Sequence, residues 1–493
     1  MMSKNKKREK GKFKDYNISR LGSHKLVDKK LPSHLGQLGV AACSWQDERM
    51  PDVLWMCLII SQIPREKALT VFRHVITKWT EFGIDNPGSS SLGLLPEEKV
   101  KDALRELCKV DEIKYALKPL LLFPFLPHFN LWKEAIGFEP SSDDWNTLSH
   151  ALLKCDFHQS QEATDCRWVK LMFSIYSRKL HFDETFRERV QCYFEYPNRG
   201  DQREVRPSIR ATEIGIDQNS SSEVKEARLK WNQAFWQEAF NTTKCIHPPL
   251  GTKQINLPEI STSTNQVNLV YEKLIEHFFS VLNDSSLNPK QDAVFGISLY
   301  AIGVLQELLS IKITQGILGR SGLRTLAELH INLAYLVAED KEELWKAYRN
   351  YGHGQAKLSF LKLIELTDKE LPSFVNLENL HYLANEDVWQ EFVDINVGAW
   401  DSTDLRKRAE KSRTKHIYDK FYDWTSGYVH CHWGAVRDSV LTTCLNPLHR
   451  YHRIPLEIPR LQNDVIPDAC KLVDQTLDIL DSVYPNFDIR VSV

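Results

Sequence analysis

Apolar residues recur along this chain at intervals of three and four, and almost nowhere at intervals of two. That spacing is the strongest constraint on the fold, because it places apolar side chains on one face of a helix and on both faces of a strand. After Pro64, residues Ala68, Leu69, Phe72, Val75, Ile76 and Trp79 follow it, and the proline itself suits a helix start. "PEEKVKDALRELCKV" (96–110) repeats the pattern with acids in its first turn, where they meet the positive end of the helix dipole. "DCRWVKLMFSIYSRKL" (165–180), "NLVYEKLIEHFFSVLN" (268–283), the long run 293–351 and "SRTKHIYDKFYDWTSGYVHCHWGAVRDSV" (412–440) continue it. The expected class is all-α: an N-terminal helical domain followed by a C-terminal helical bundle.

A chain of 493 residues exceeds what one core usually serves. Two polar, turn-rich stretches, 195–222 and 246–266, read as connectors, and the second, with three prolines and a Ser/Thr run, is the expected boundary. The division is a basic tail at 1–20, an N-terminal domain at 21–245, a linker at 246–266 and a bundle at 267–493. The tail "MMSKNKKREKGKFKD" has seven Lys/Arg and two acids, yet the whole chain carries only −2. No global basic field invites nucleic acid, so any RNA contact must be local, through this tail or "DLRKRAEKSRTKH" (404–416). The tail lacks a following apolar segment of the kind secretion signals carry. With ten irregularly spaced cysteines, a cytoplasmic setting with reduced thiols is expected. The apolar run at 53–60, "VLWMCLII", would span about 12 Å as a helix against a bilayer core of roughly 30 Å, so no membrane partner is expected.

One helix breaks its own logic. "GLRTLAELHINLAYL" (322–336) carries Arg324, Glu328 and Asn332 at steps of four among Leu323, Leu326, Ala327, Ile331 and Ala334, with Arg320 one step earlier. Such a ridge faces inward or into a cleft, and an arginine–glutamate pair there needs further partners to offset its desolvation. Tyr418, Tyr422, Ser426 and His430 recur at the same step on a later segment. If the two helices pack together, Arg324 and Glu328 meet Ser426 and His430 in one polar pocket, with histidine as a general base and arginine steadying developing negative charge. The other reading is a structural seam that fixes the register of the bundle.

"HCHWGAVRDSVLTTCLNPLHRYH" gathers His430, Cys431, His432, Cys444, His449 and His452, and Cys155, His158 and Cys166 form a second irregular set. Imidazole and thiolate suit zinc, but neither set has a Cys-x2-Cys pair or His-Glu-x-x-His, so neither a metal nor a cofactor is expected. Walker, Gly-x-Gly-x-x-Gly and Gly-x-Ser-x-Gly motifs are missing from the sequence.

"RTLAELHINLAYL", "WKAYRNYG" and "YDKFYDWTSGYVH" together resemble the bacterial domain of unknown function 5677 family, over about 266–440. The family's Arg-x3-Glu-x3-Asn and Tyr-x3-Ser-x3-His fall on Arg324, Glu328, Asn332, Tyr422, Ser426 and His430. The resemblance implies a helical domain and no particular activity. Arg324 and His330 also form Arg-x5-His, which resembles the signature of the HEPN ribonucleases, helical bundles of bacterial defence systems. That likeness implies a HEPN-like bundle and a metal-independent defence or stress ribonuclease. In it, Arg324 with His330 or His430 would assist attack of a 2′-hydroxyl on the phosphodiester. The rival expectation, of another class, is a non-catalytic sensor or scaffold that binds a partner protein. A homodimer is compatible with either.

Overall fold

The computed structural model describes residues 44–249, 264–282, 286–311, 314–367, 370–385 and 394–492, together with Lys25, Val27 and Lys30. The expected basic tail at 1–20 and residues 250–263 of the expected linker lie outside the described residues. Among those described, the chain is helical throughout, with a single two-stranded antiparallel pair, so the all-α class holds. Contacts divide it into two compact units. The first comprises Met1–Ile246 with Cys444–His452; the second comprises His247–Thr443 with Arg453–Val493.

In the first unit, α1 (Leu54–Gln62) is apolar all round and is buried on almost every side, as such a helix must be. Helix α2 (Arg65–Glu81) begins after Pro64 and buries Ala68, Leu69, Phe72, Val75, Ile76 and Trp79, the six positions its periodicity marks. Trp55, Trp79 and Trp168 are enclosed, and each donates its indole N–H to a carbonyl: Pro87 at 2.9 Å, Ala103 at 2.9 Å and Tyr193 at 2.8 Å. Large rings can be buried here because their one polar atom is satisfied.

The stretch at 195–222 is not simply a connector. It contains α4 (Gln202–Gln218), preceded by α3 (Gln161–Tyr176) and followed by α5 (Ser222–Thr242). Val205, Ile209, Glu213 and Asp217 are buried at steps of four on α4. The two acids are there because α3 and its neighbours turn cations inward. Glu213 binds Arg49, Lys170 at 3.1 Å and Arg167 at 3.6 Å. Asp217 binds Arg228 and Lys170, the latter at 3.5 Å. The guanidinium groups of Arg167 and Arg49 also lie over the Trp45 ring, 4.3 and 5.5 Å from its centre. Burial lowers the Arg167 pKa to about 10, with Glu213 opposing the shift.

The second unit is a bundle. Helices α6 (Thr264–Ser280), α7 (Pro289–Ile311), α8 (Ile317–Glu339) and α9 (Glu342–Leu363) precede the shorter α10 (Leu405–Lys411) and α11 (Asp423–Val429). The last helix, α12 (Ile466–Val483), packs against both α7 and α8. Strands β1 (Leu441–Thr443) and β2 (Arg453–Pro455) pair with Thr442 opposite Ile454. Pro289–Ser310 is long and apolar enough to cross a bilayer by length and composition. In the sequence its glycines, serine and tyrosine mask this character, whereas the run at 53–60 stands out; Val294, Ile302 and Leu305 of α7 are fully buried in the bundle core. The pattern at 412–440 is not one helix. It breaks into Lys415–Ile417, a π-helical turn at Tyr418–Tyr422, α11 and Trp433–Val440, with Cys431 in left-handed backbone at the last break.

The buried carboxylate of Glu213 serves three cations, so Glu213→Ala is expected to destabilise the first unit by about 3–5 kcal/mol in chemical denaturation. Arg203→Ala, which removes a solvent-exposed pair with Asp201, should leave the denaturation midpoint unchanged.

Candidate functional site

The polar ridge of α8 meets the later segment, one turn earlier than the sequence suggests. Arg324 bonds Glu328 at 2.8 Å along its own helix. Its other terminal nitrogen donates to the Tyr422 hydroxyl at 3.1 Å, and its charge lies 4.9 Å from the centre of that ring. Tyr418 stacks on Tyr422 with centroids 5.1 Å apart. The π turn that carries both tyrosines is the local device: its wider winding changes the register of the segment, a feature that often marks working surfaces. Asn332, the third ridge residue, accepts from Arg408 at 3.0 Å, and Arg408 in turn lies 3.9 Å from the centre of the Trp400 ring. Burial lowers the Arg408 pKa, while Asp401, Tyr335 and Glu328 oppose the shift.

The remaining expected site residues do not converge on Arg324. Arg320 turns away and donates to the Asn463 carbonyl at 2.6 Å, fixing the start of α8. His330 stands six residues past Arg324, which places it about 120° around the helix. It is buried against α12 with Thr476 at 3.2 Å, beside a hollow of about 410 Å³ shared with His416 and Asp478. Ser426 is half-buried one turn beyond Tyr422. His430 ends α11 with its ring exposed and its neighbour His432 at 6.1 Å. A pocket holding Arg324, Glu328, Ser426 and His430 together is therefore replaced by an Arg324–Glu328–Tyr422 cluster. The reason is that a guanidinium leaving water finds both an anion and a ring face in reach there.

The ridge also borders a groove that the sequence does not announce. Glu328 and Asn332 line an open hollow of about 440 Å³ with Asp292, Tyr300, Tyr348 and an apolar floor that includes Ile297. Asp292 pairs with Arg349 at 3.2 Å. Desolvation raises the Tyr348 pKa and the charge of Glu328 adds to the rise. The groove offers carboxylate and phenol oxygens beside apolar surface, so it suits hydrogen-bond donors, charged ones included.

Of the expected metal-type residues, Cys444, His449 and His452 come together, joined by Cys245, whereas His430, Cys431 and His432 are not part of that group. Cys155 and Cys166 also meet, with Cys57 taking the place expected for His158.

Residues 315–443 match the model of a family of unknown function (DUF5677), which spans the ridge, the π turn and α11 and begins later than the 266 expected from the resemblance. No curated protein and no solved structure matches the chain.

Burial lowers the His330 pKa to about 4, with the nearby His416 adding to the fall and Asp478 opposing it. An unfolded histidine titrates near 6.5, so between pH 6.5 and 4 the unfolded chain takes up a proton that the folded bundle refuses. The second unit is expected to lose about 2–3 kcal/mol over that interval, with no further loss from this group below about pH 4. His330→Gln should flatten the slope in a series of denaturant titrations against pH.

Proposed function

We propose that the second unit is a recognition module that grips a segment of a partner protein bearing a basic side chain next to apolar ones. The observation that carries this reading is the acceptor-rich lining of the groove between α7, α8 and α9, set over an apolar floor. Glu328 and Asp292 place carboxylates at its wall, each paired with one arginine (Arg324 at 2.8 Å, Arg349 at 3.2 Å) and each with more acceptor positions than one partner fills, and Tyr300, 60% exposed, offers an aromatic face at its mouth. A lysine or arginine entering there gains charge-assisted hydrogen bonds, and its apolar neighbours gain the floor.

A lining of acceptors works against a phosphodiester, whose binding needs cations with free capacity. Several of the nearby cations are already committed. Arg324 is held by Glu328 and Tyr422, and Arg408 by Asn332 and Trp400. In the basic run at 404–416, Arg406 pairs with Glu410, Lys407 with Asp404 and Lys415 with Asp419. RNA cleavage through Arg324 with His330 or His430 would need groups that stand on different sides of α8 or at the exposed end of α11 to act on one bond.

Peptide display against the immobilised full-length chain tests the proposal. Peptides that pair Arg or Lys with apolar residues should be enriched. Glu328→Gln, which keeps the hydrogen-bonding shape, should weaken the selected peptide by about tenfold or more, since hydrogen bonds to charged groups contribute roughly 1.5–3 kcal/mol. Failure to enrich such peptides would overturn the reading. So would metal-free cleavage of single-stranded RNA that Arg324→Ala abolishes, which would restore the ribonuclease.

A further inference from the structure

We propose that Cys245, Cys444, His449 and His452 form a closed tetrahedral zinc site within the first unit. Cys245 follows the end of α5, and the other three come from Cys444–His452, the segment that belongs to this unit although the sequence places it some 200 residues later. The four ligand atoms all lie within 4.8 Å of one another. Cys245 Sγ stands 3.5 Å from His449 Nδ1 and 3.3 Å from His452 Nε2, and Cys444 Sγ stands 3.6 Å from His449 Nδ1. A tetrahedron with Zn–S near 2.3 Å and Zn–N near 2.05 Å has sulfur–nitrogen edges of about 3.6 Å. The side chains are therefore arranged at the spacing that zinc would impose.

The surroundings fix the protonation that a ligand needs. The Thr243 hydroxyl gives its one hydrogen to the Ala239 carbonyl at 2.7 Å. It must then accept from its other neighbours, Asn446 Nδ2 at 3.1 Å and His449 Nε2 at 3.0 Å. Neutral His449 consequently carries its proton on Nε2, which leaves the Nδ1 lone pair directed at the two sulfurs. An outer hydrogen bond that sets the tautomer in this way is the usual partner of a metal-bound imidazole. The Ile246 amide donates to Cys444 Sγ at 3.4 Å, an outer hydrogen bond of the kind that orients a ligating sulfur. The Phe240 ring packs on both imidazoles, with centroids 5.0 Å from His449 and 5.7 Å from His452.

The donor set names the ion. Two thiolates and two imidazoles are the ligands of structural zinc, and four protein ligands leave no position for a substrate. Binding releases the two thiol protons, so uptake weakens as pH falls. The work of such an ion is to hold Cys444–His452 against α5. That segment is also attached by Asn446 to the Lys244 carbonyl at 2.9 Å and to Thr243, by the Leu445 amide to the Ile246 carbonyl at 2.8 Å, by Arg450 to Asp47 at 3.2 Å, by Tyr451 to Asp156 and by the buried Leu448. The sequence hides the site because no two cysteines are close and one ligand lies far from the rest.

The test uses the full-length chain, purified under reducing conditions. Elemental analysis should find about one zinc per chain, and cobalt(II) replacing it should show tetrahedral ligand-field bands with thiolate charge transfer. Cys245→Ser and His452→Asn change the two partly exposed ligands; each should lower zinc affinity at least tenfold. Chelation should lower the Tm of the parent chain and leave that of Cys245→Ser unmoved. A parent chain that takes up no stoichiometric zinc would overturn the proposal, even if every variant misfolded. Uptake that is undiminished in both variants would overturn it too, because the ion would then sit elsewhere, the Cys57, Cys155 and Cys166 cluster being the other candidate.

Discussion

A guanidinium taken out of water keeps its charge, and both units are organised around the few ways of accommodating it. For four arginines a ring covers one face of the plane while an anion or amide oxygen meets the edge. Arg167 and Arg49 share Trp45 and converge on Glu213; Arg324 has Tyr422 and Glu328; Arg408 has Trp400 and Asn332. Arginine suits this use because its planar group is weakly hydrated and donates in a fixed fork. Each arrangement ties together elements that apolar packing alone would leave free to slide: α4 to α3, and α10 and the π turn to α8.

This constraint explains what the sequence discloses and what it conceals. Helix α2 could be read in full, from Pro64 to the six buried positions, because proline and periodicity are local signals. The ridge on α8 could be read as inward-facing, since Leu323, Leu326, Ala327 and Ile331 on its flanks are buried. Helix α4 escaped because its inward positions are Val, Ile, Glu and Asp, so half of its buried face looks like solvent-facing charge until Arg49, Arg167 and Lys170 are known to stand opposite. The π turn escaped because a step of four looks the same on paper whether or not the winding loosens, and His430 is exposed because α11 ends there, with Cys431 in left-handed backbone. Cys245 could not be grouped with Cys444 by spacing, since only the fold brings them together.

The consequences for function follow from commitment of charge. A catalytic arginine must turn its charge to the transition state, and both terminal nitrogens of Arg324 already face Glu328 and Tyr422. Glu328, by contrast, is held in place by that pairing while it borders the groove, so the seam presents an oriented carboxylate at a surface that also offers tyrosines and apolar floor. Rigid presentation of a few polar groups over apolar surface is what recognition requires, because little ordering remains to be done on binding.

Arg324 and Tyr422 act as one unit in holding the seam. A double-mutant cycle with Arg324→Gln, Tyr422→Leu and the pair, followed by chemical denaturation, measures it directly. The expected coupling is about 0.5–2 kcal/mol, the sum of a ring–cation contact and a hydrogen bond in a half-buried setting. Losses that add within about 0.3 kcal/mol would contradict it: the two residues would then be neighbours without interaction, and the seam would have no part in fixing the groove.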